Sequence, residues 1–310
     1  MNDDFLFSED EPEEEVLNTA PPYEILIVDD DEEIHTITKM ALADFKLDGR
    51  PLKFHSVYSG EEAKQFHGFK KDIESIGDFI RLYTTRYQRW TSPKFLIGES
   101  YGTTRAAGLS GYLQERHGLY LNGIMLISSV LDFQTIRFMN GNDLPYILYL
   151  PSFTATAWYH NLLDEELQAD LYQTLREVEE FAVGEYTVAL MKGKDLPEDR
   201  RQDIIRKLAR YTGLPIDYIG RTDLRVNIMR FCKELLRNQG KTVGRFDSRF
   251  TGLDRDSVGE RFEYDPSYTN ILGPYTATLN DYLRSQLKFE SDLAYEILTD
   301  RVHPWNYDTH

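Results

Sequence analysis

Phe95-Leu96-Ile97-Gly98-Glu99-Ser100-Tyr101-Gly102 is the stretch on which a reading of the fold turns. A short apolar run leads into G-x-S-x-G, and a helix-like segment, 103–113, follows it. Strand, sharp turn, helix is the setting in which this pentapeptide acts as a nucleophile elbow, lifting a serine hydroxyl above the top of a sheet. The turn is tight, and a side chain at either flank is expected to clash with the neighbouring strand or helix. Gly98 and Gly102 would relieve that crowding. Ser100 is then the candidate nucleophile. The backbone N–H of Tyr101, at the N-terminus of the next helix, is the candidate oxyanion donor.

Outward from this stretch, Ile73, Ile76, Ile80, Tyr83 and Tyr87 recur at spacings of three and four, which predicts one helix over about 70–89. A strand is expected over 123–129. Two strands around an elbow helix would form the centre of an α/β sheet. Beyond residue 150 helical patterns dominate. Leu167, Leu171, Leu175, Val178 and Ala182 predict one long helix. Further helices are predicted over 197–212, with Pro197 near its first turn, and over 218–237 and 276–298, with a loop at 264–268. Upstream, residues 23–31 read as a buried parallel strand and 33–46 as an amphipathic helix. Residues 52–58 read as a second strand, and Ser59 with Glu62 forms a capping box.

The stretches SPKFLIGESYGTTRAAGLSGYLQ (92–114), LNGIMLISSVLDFQT (121–135), NDLPYILYLPSFTATAWYH (142–160) and GPYTATLNDYLR (273–284) resemble a serine carboxypeptidase of the α/β-hydrolase kind. ILIVDDDEEIHTITKMAL (25–42) and VYSGEEAK (57–64) resemble the start of a response-regulator receiver domain. The resulting expectation is an α/β chain in four parts. Residues 1–22 would be an acidic disordered tail and 23–64 a partial receiver-like βαβ segment. Residues 65–149 would be an incomplete α/β-hydrolase sheet carrying the elbow, and 150–310 a large helical cap with a following linker.

The hydrolase resemblance implies C-terminal peptide-bond hydrolysis, with Glu99 helping to bind the substrate's terminal carboxylate through a proton shared between carboxyls. Read from the residues alone, Glu99 is a strand-end carboxylate that could pair with Arg105. A triad also needs an Asp and a His later in the chain. In that family the histidine follows a glycine. The histidines here stand at 35, 55, 67, 117, 160, 303 and 310, and none follows a glycine. Asp132 could serve as the acid, but capping the next turn is its simpler role. Loss of a triad member costs about 10⁴ in rate. The expectation is therefore a serine carboxypeptidase by lineage, inactive as this chain.

Two alternatives stand beside it: a phosphorelay signalling protein with a degenerate receiver, and a non-catalytic binding protein. The receiver resemblance makes Asp29 and Asp30 the acidic pair that would hold Mg²⁺. The phosphate-accepting Asp belongs after a third strand that the sequence lacks, and Asp72 and Asp78 read as solvated helix carboxylates. No other cofactor is expected.

Composition narrows the partners. Hydrophobic residues make up 41% of the chain and aromatic residues 13%, enough for a sizeable core. The net charge is −17, yet residues 1–33 hold 14 Asp and Glu and no Lys or Arg. A strongly anionic tail argues against nucleic acid or an anionic membrane as partner. A peptide substrate would follow from the hydrolase lineage, and the sequence sets no oligomeric state. No apolar run reaches the roughly 18 residues of a membrane span. The start of the chain is acidic where an export signal would be basic and then apolar. With a single cysteine, Cys232, a cytoplasmic setting is expected.

Overall fold

A computed structural model describes residues 23–28, 39, 46–47, 50–57, 67–290, 292, 295–299 and 302–308. The expected acidic tail, the Ser59–Glu62 capping box, and Asp29 and Asp30 lie outside these residues; of the helix expected over 33–46 only Lys39, which is helical, and Lys46, which is in a strand, are described. The described chain is mixed α/β, mostly helical, with three small sheets. It divides into two compact units: Met1–Leu96 with Arg105–Ile124 and Asp300–His310, and Ile97–Thr104 with Met125–Thr299.

In the first unit, β1 (Tyr23–Val28) pairs in parallel with β3 (Arg50–Val57), in register from Tyr23 opposite Leu52 to Val28 opposite Val57. The short β2 (Lys46–Leu47) runs antiparallel to β3, giving the strand order β1-β3-β2. The helix α1 (Phe69–Arg86) ends three residues short of its expected limit. Tyr87 takes up the C-cap, and Gln88 turns left-handed with φ 54°. Ile73 on α1 clusters with Leu109, Leu113 and Leu119 of α2 (Tyr101–His117) and the turn after it. Glycines let the two helices approach closely: a Cβ on Gly108 would stand 2.6 Å from the Phe69 ring, and one on Gly77 2.5 Å from Tyr112. Tyr83 and Tyr87, expected on the apolar face, are instead exposed and pack on each other at 4.6 Å between centroids.

The second unit holds the larger core, built on α3 (Leu144–Tyr159), which packs against α5 (Leu171–Phe181) and α7 (Glu198–Thr212). Phe153 of α3 stacks on Phe231 with centroids 4.1 Å apart. The single long helix expected through Leu167–Ala182 is broken. Asp164 caps a short α4 (Glu165–Gln168), and Asp170 then caps α5 by accepting from the Gln173 N–H. Two caps within one turn and a half impose two starts. Beyond α5 come a π-turn, Ala182–Tyr186, and α6 (Thr187–Lys192).

The helix expected over 218–237 is likewise two: α8 (Ile216–Arg221) and α9 (Ile228–Glu234). Asp223 and Leu224 sit at φ 52° and 64°, which no helix accommodates, and Asn227 caps the restart. After the antiparallel pair β6 (Lys241–Val243) and β7 (Thr251–Leu253), α10 spans Pro266–Asp281. Residues 266–268, expected in a loop, are thus its first turn. Asp265 accepts from the N–H groups of Ser267 and Tyr268, and Pro266 at the first helical position needs no N–H partner.

No helix among the described residues is long and apolar enough to cross a membrane.

Candidate functional site

β4 (Phe95–Glu99) and β5 (Gly123–Ile127) form a two-stranded sheet, and Ser100 lies between the end of β4 and the start of α2. Its φ of 54° is left-handed, a conformation that L-residues other than Asn and Asp seldom adopt. Ser100 thus sits at a strained turn between a strand and a helix. The Ser100 N–H donates to the Ile127 carbonyl at 3.0 Å, which fixes the turn against the end of β5.

The two flanking glycines are not equivalent. A Cβ on Gly98 would stand 2.0 Å from the Gly102 carbonyl oxygen, so only glycine fits there. A Cβ on Gly102 would meet no atom within 4 Å, contrary to the clash expected at both flanks. The second constraint comes from threonines that the motif does not include. Thr103 is fully buried; its hydroxyl donates to the Ser100 carbonyl at 2.7 Å and accepts from the Val130 N–H at 2.8 Å. The Thr104 hydroxyl donates to the Val130 carbonyl at 2.6 Å. These bonds tie the first turn of α2 to the segment after β5. The signal for them was a Thr-Thr pair at the first turn of a helix, where hydroxyls meet unsatisfied backbone groups.

Ser100 and Glu99 are exposed, and Tyr101 opens α2. The guanidinium of Arg105, the alternative partner of Glu99, is engaged by Asp72 with Nε 2.8 Å from Oδ2. Asp72 is buried, so it is not the solvated carboxylate its helical pattern suggested. Asp78 is exposed, and its Oδ1 lies 3.0 Å from His117 Nε2, without the alignment of a hydrogen bond. Asp132 caps the short 3₁₀ turn Phe133–Thr135 by accepting from the Gln134 N–H at 2.8 Å.

Among the described residues no histidine hydrogen-bonds the Ser100 hydroxyl. His160 Nε2 bonds the Ser248 carbonyl at 2.7 Å, and the buried Nδ1 of His67 has no hydrogen-bond partner among the described residues. The side chains of His35, His55 and His310 lie outside the described residues. A serine hydroxyl without a base is a poor nucleophile at neutral pH. The arrangement presents Ser100 to solvent, and among the described residues no histidine is placed to activate it. No group of three or more metal-ligating side chains is present among the described residues.

No known protein family matches the chain, and no solved structure matches it. It is similar to the 3'3'-cGAMP-specific phosphodiesterase 2 of Vibrio cholerae serotype O1, 44% identical over 63 residues. Those residues are 20% of this chain and 12% of that protein, so the chain spans only a small part of its relative's length. This finding overturns the serine carboxypeptidase expectation, with the peptidase and proteolytic function attached to it. The likeness found is to a cyclic-dinucleotide phosphodiesterase instead. The physical reason is the reach of the motif. G-x-S-x-G between a strand and a helix specifies one turn of backbone; it specifies neither the surrounding sheet nor the acid and base that make the serine react.

Proposed function

We propose that this chain is a signalling-type protein of the response-regulator kind, carrying a degenerate receiver and acting by binding rather than turnover. The observation that carries the reading is the likeness to a protein named for 3'3'-cGAMP, at 44% identity over 63 residues. The parallel pairing of β1 with β3 supports it. A parallel pair needs a crossover of about a dozen residues or more, and residues 29–49 are long enough to supply one.

Asp29 and Asp30 follow directly on Val28, the last paired residue of β1. Their carboxylate oxygens are hard donors suited to Mg²⁺, and in this reading they would hold the ion. Bound there, Mg²⁺ would offset the negative charge of a phosphoryl ligand. The proposal stops at binding because, among the described residues, the sheet of β1, β3 and the antiparallel β2 has no further parallel strand to carry a phosphate-accepting Asp. Neither helix carboxylate replaces it: Asp72 is buried against Arg105, and Asp78 lies beside His117. Cleavage of a cyclic dinucleotide is outside the proposal, since the shared stretch is 12% of the relative. A reducing, cytoplasmic setting goes with the reading and suits a lone, buried cysteine.

Incubation with acetyl phosphate and Mg²⁺, followed by intact-mass measurement, tests the degenerate receiver. The expected result is an unmodified chain; an acid-labile phosphoryl adduct would overturn it.

A further inference from the structure

In the second unit α5, the π-turn and α6 run without a break from Leu171 to Lys192. One side of this rod feeds the core through Val178, Tyr186 and Leu190. The opposite side is apolar as well: Val183 is 69% exposed, Val188 53% and Met191 79%. Val183 and Val188 stand five apart across the π-turn, and Met191 follows Val188 by three, so all three share one face. Single exposed apolar side chains are ordinary, but a contiguous row of them marks a contact surface.

Gly184 lies on the same face, one turn before Val188. A Cβ there would meet no atom within 4 Å, and its φ is not positive. Glycine is a poor helix former, and nothing among the described residues requires it at this position. It leaves a hollow in the apolar face that a side chain from outside can enter. Two charges bound the row. Glu180 precedes Gly184 by one turn and Lys192 follows Val188 by one turn. Both are exposed, and neither has an ion-pair partner among the described residues. The neighbouring Glu185, by contrast, is engaged by Lys207 at 2.6 Å.

We propose that this face is a dimer interface, occupied by the same face of a second copy of the chain laid antiparallel. The order Glu180, Gly184, Val188, Lys192 complements itself when reversed. A two-fold axis level with Tyr186 sets Glu180 opposite the partner's Lys192 and Val188 over the hollow at the partner's Gly184. By symmetry each contact occurs twice. Val183 then lies beside the partner's Met191, and burial of these side chains drives association. A parallel pairing would bring Glu180 against the partner's Glu180, so charge selects the antiparallel one. The surface belongs to the second unit and does not depend on the signalling reading.

Sedimentation equilibrium of the full chain tests it, from about 1 to 100 μM, the moderate part of the affinity scale. A monomer–dimer equilibrium is expected. Gly184→Leu has open space in the single chain but fills the hollow, so it should weaken dimerisation about 10-fold or more while leaving the circular dichroism unchanged. Glu180→Lys and Lys192→Glu, each alone, place like charges opposite one another twice and should also weaken it about 10-fold or more. An equimolar mixture of those two variants restores opposite charges at both contacts and should associate as the parent does. A chain that stays monomeric throughout would overturn the proposal. So would a dimer that Gly184→Leu leaves intact, or charge variants that fail to recover on mixing.

Discussion

Ser100 holds a left-handed backbone that costs an ordinary L-residue about 1–2 kcal/mol. Ser100→Gly removes that cost but adds chain entropy in the unfolded state. Denaturant titration should therefore show a net gain of about 0.5 kcal/mol, and a loss would contradict the strained turn. Gly98→Ala should lose about 2 kcal/mol or more, because its Cβ would stand 2.0 Å from the Gly102 carbonyl. Gly102→Ala should stay within about 1 kcal/mol, the ordinary propensity range for a helix. A fluorophosphonate probe should leave Ser100 unlabelled at rates normal for serine hydrolases, since no histidine bonds its hydroxyl among the described residues. Labelling at such rates would contradict the account. The turn and the need for Gly98 were legible from the pentapeptide. The freedom at Gly102 and the binding role of Thr103 were not, because both depend on the segment after β5, distant in sequence.

Lys233 of α9 and Asp254, just past β7, form an ion pair at 2.6 Å with side chains only 4% and 3% exposed. Burial raises the carboxyl of Asp254. Bonds from Lys233 and from the N–H groups of Arg255 and Glu263 outweigh that and hold it below the usual carboxylate range. A depressed carboxyl stabilises the fold above its unfolded value, near pH 4, and that contribution is lost as pH falls through the lower, folded value. Acid titration should thus show stability falling below about pH 4 in the parent and a shallower fall in Asp254→Asn. Lys233→Met leaves a buried, unpaired carboxylate and should cost about 3–5 kcal/mol at neutral pH. A loss under about 1 kcal/mol would show that the pair is not buried in solution. Helix periodicity made α1 and α7 legible. It missed the breaks at Asp170 and at Asp223–Leu224, because the apolar spacing continues across them while the backbone does not.

The two compact units differ in how much they bury. Among the described residues, the first has a cluster of four buried apolar side chains, Ile73, Leu109, Leu113 and Leu119. The second gathers 24, including Phe153, Phe231 and Ile219. Local stability follows buried apolar packing, so amides of α7 should exchange with solvent more slowly than those of α1. Equal or reversed protection would contradict that division. The α/β class, with strands early and helices dominant later, was legible from composition and pattern. The function was not, because a strong local motif drew the reading toward hydrolysis while, among the described residues, no histidine bonds its serine. The central claim is a degenerate receiver that binds a metal ion without passing on phosphate. Nuclear magnetic resonance of the chain with Mn²⁺, a paramagnetic substitute for Mg²⁺, tests it most directly. The account predicts broadening of the amide signals of Val28 and Val57, abolished by the double substitution Asp29→Asn and Asp30→Asn. Signals that remain sharp in the parent, or broaden equally in the variant, would contradict it.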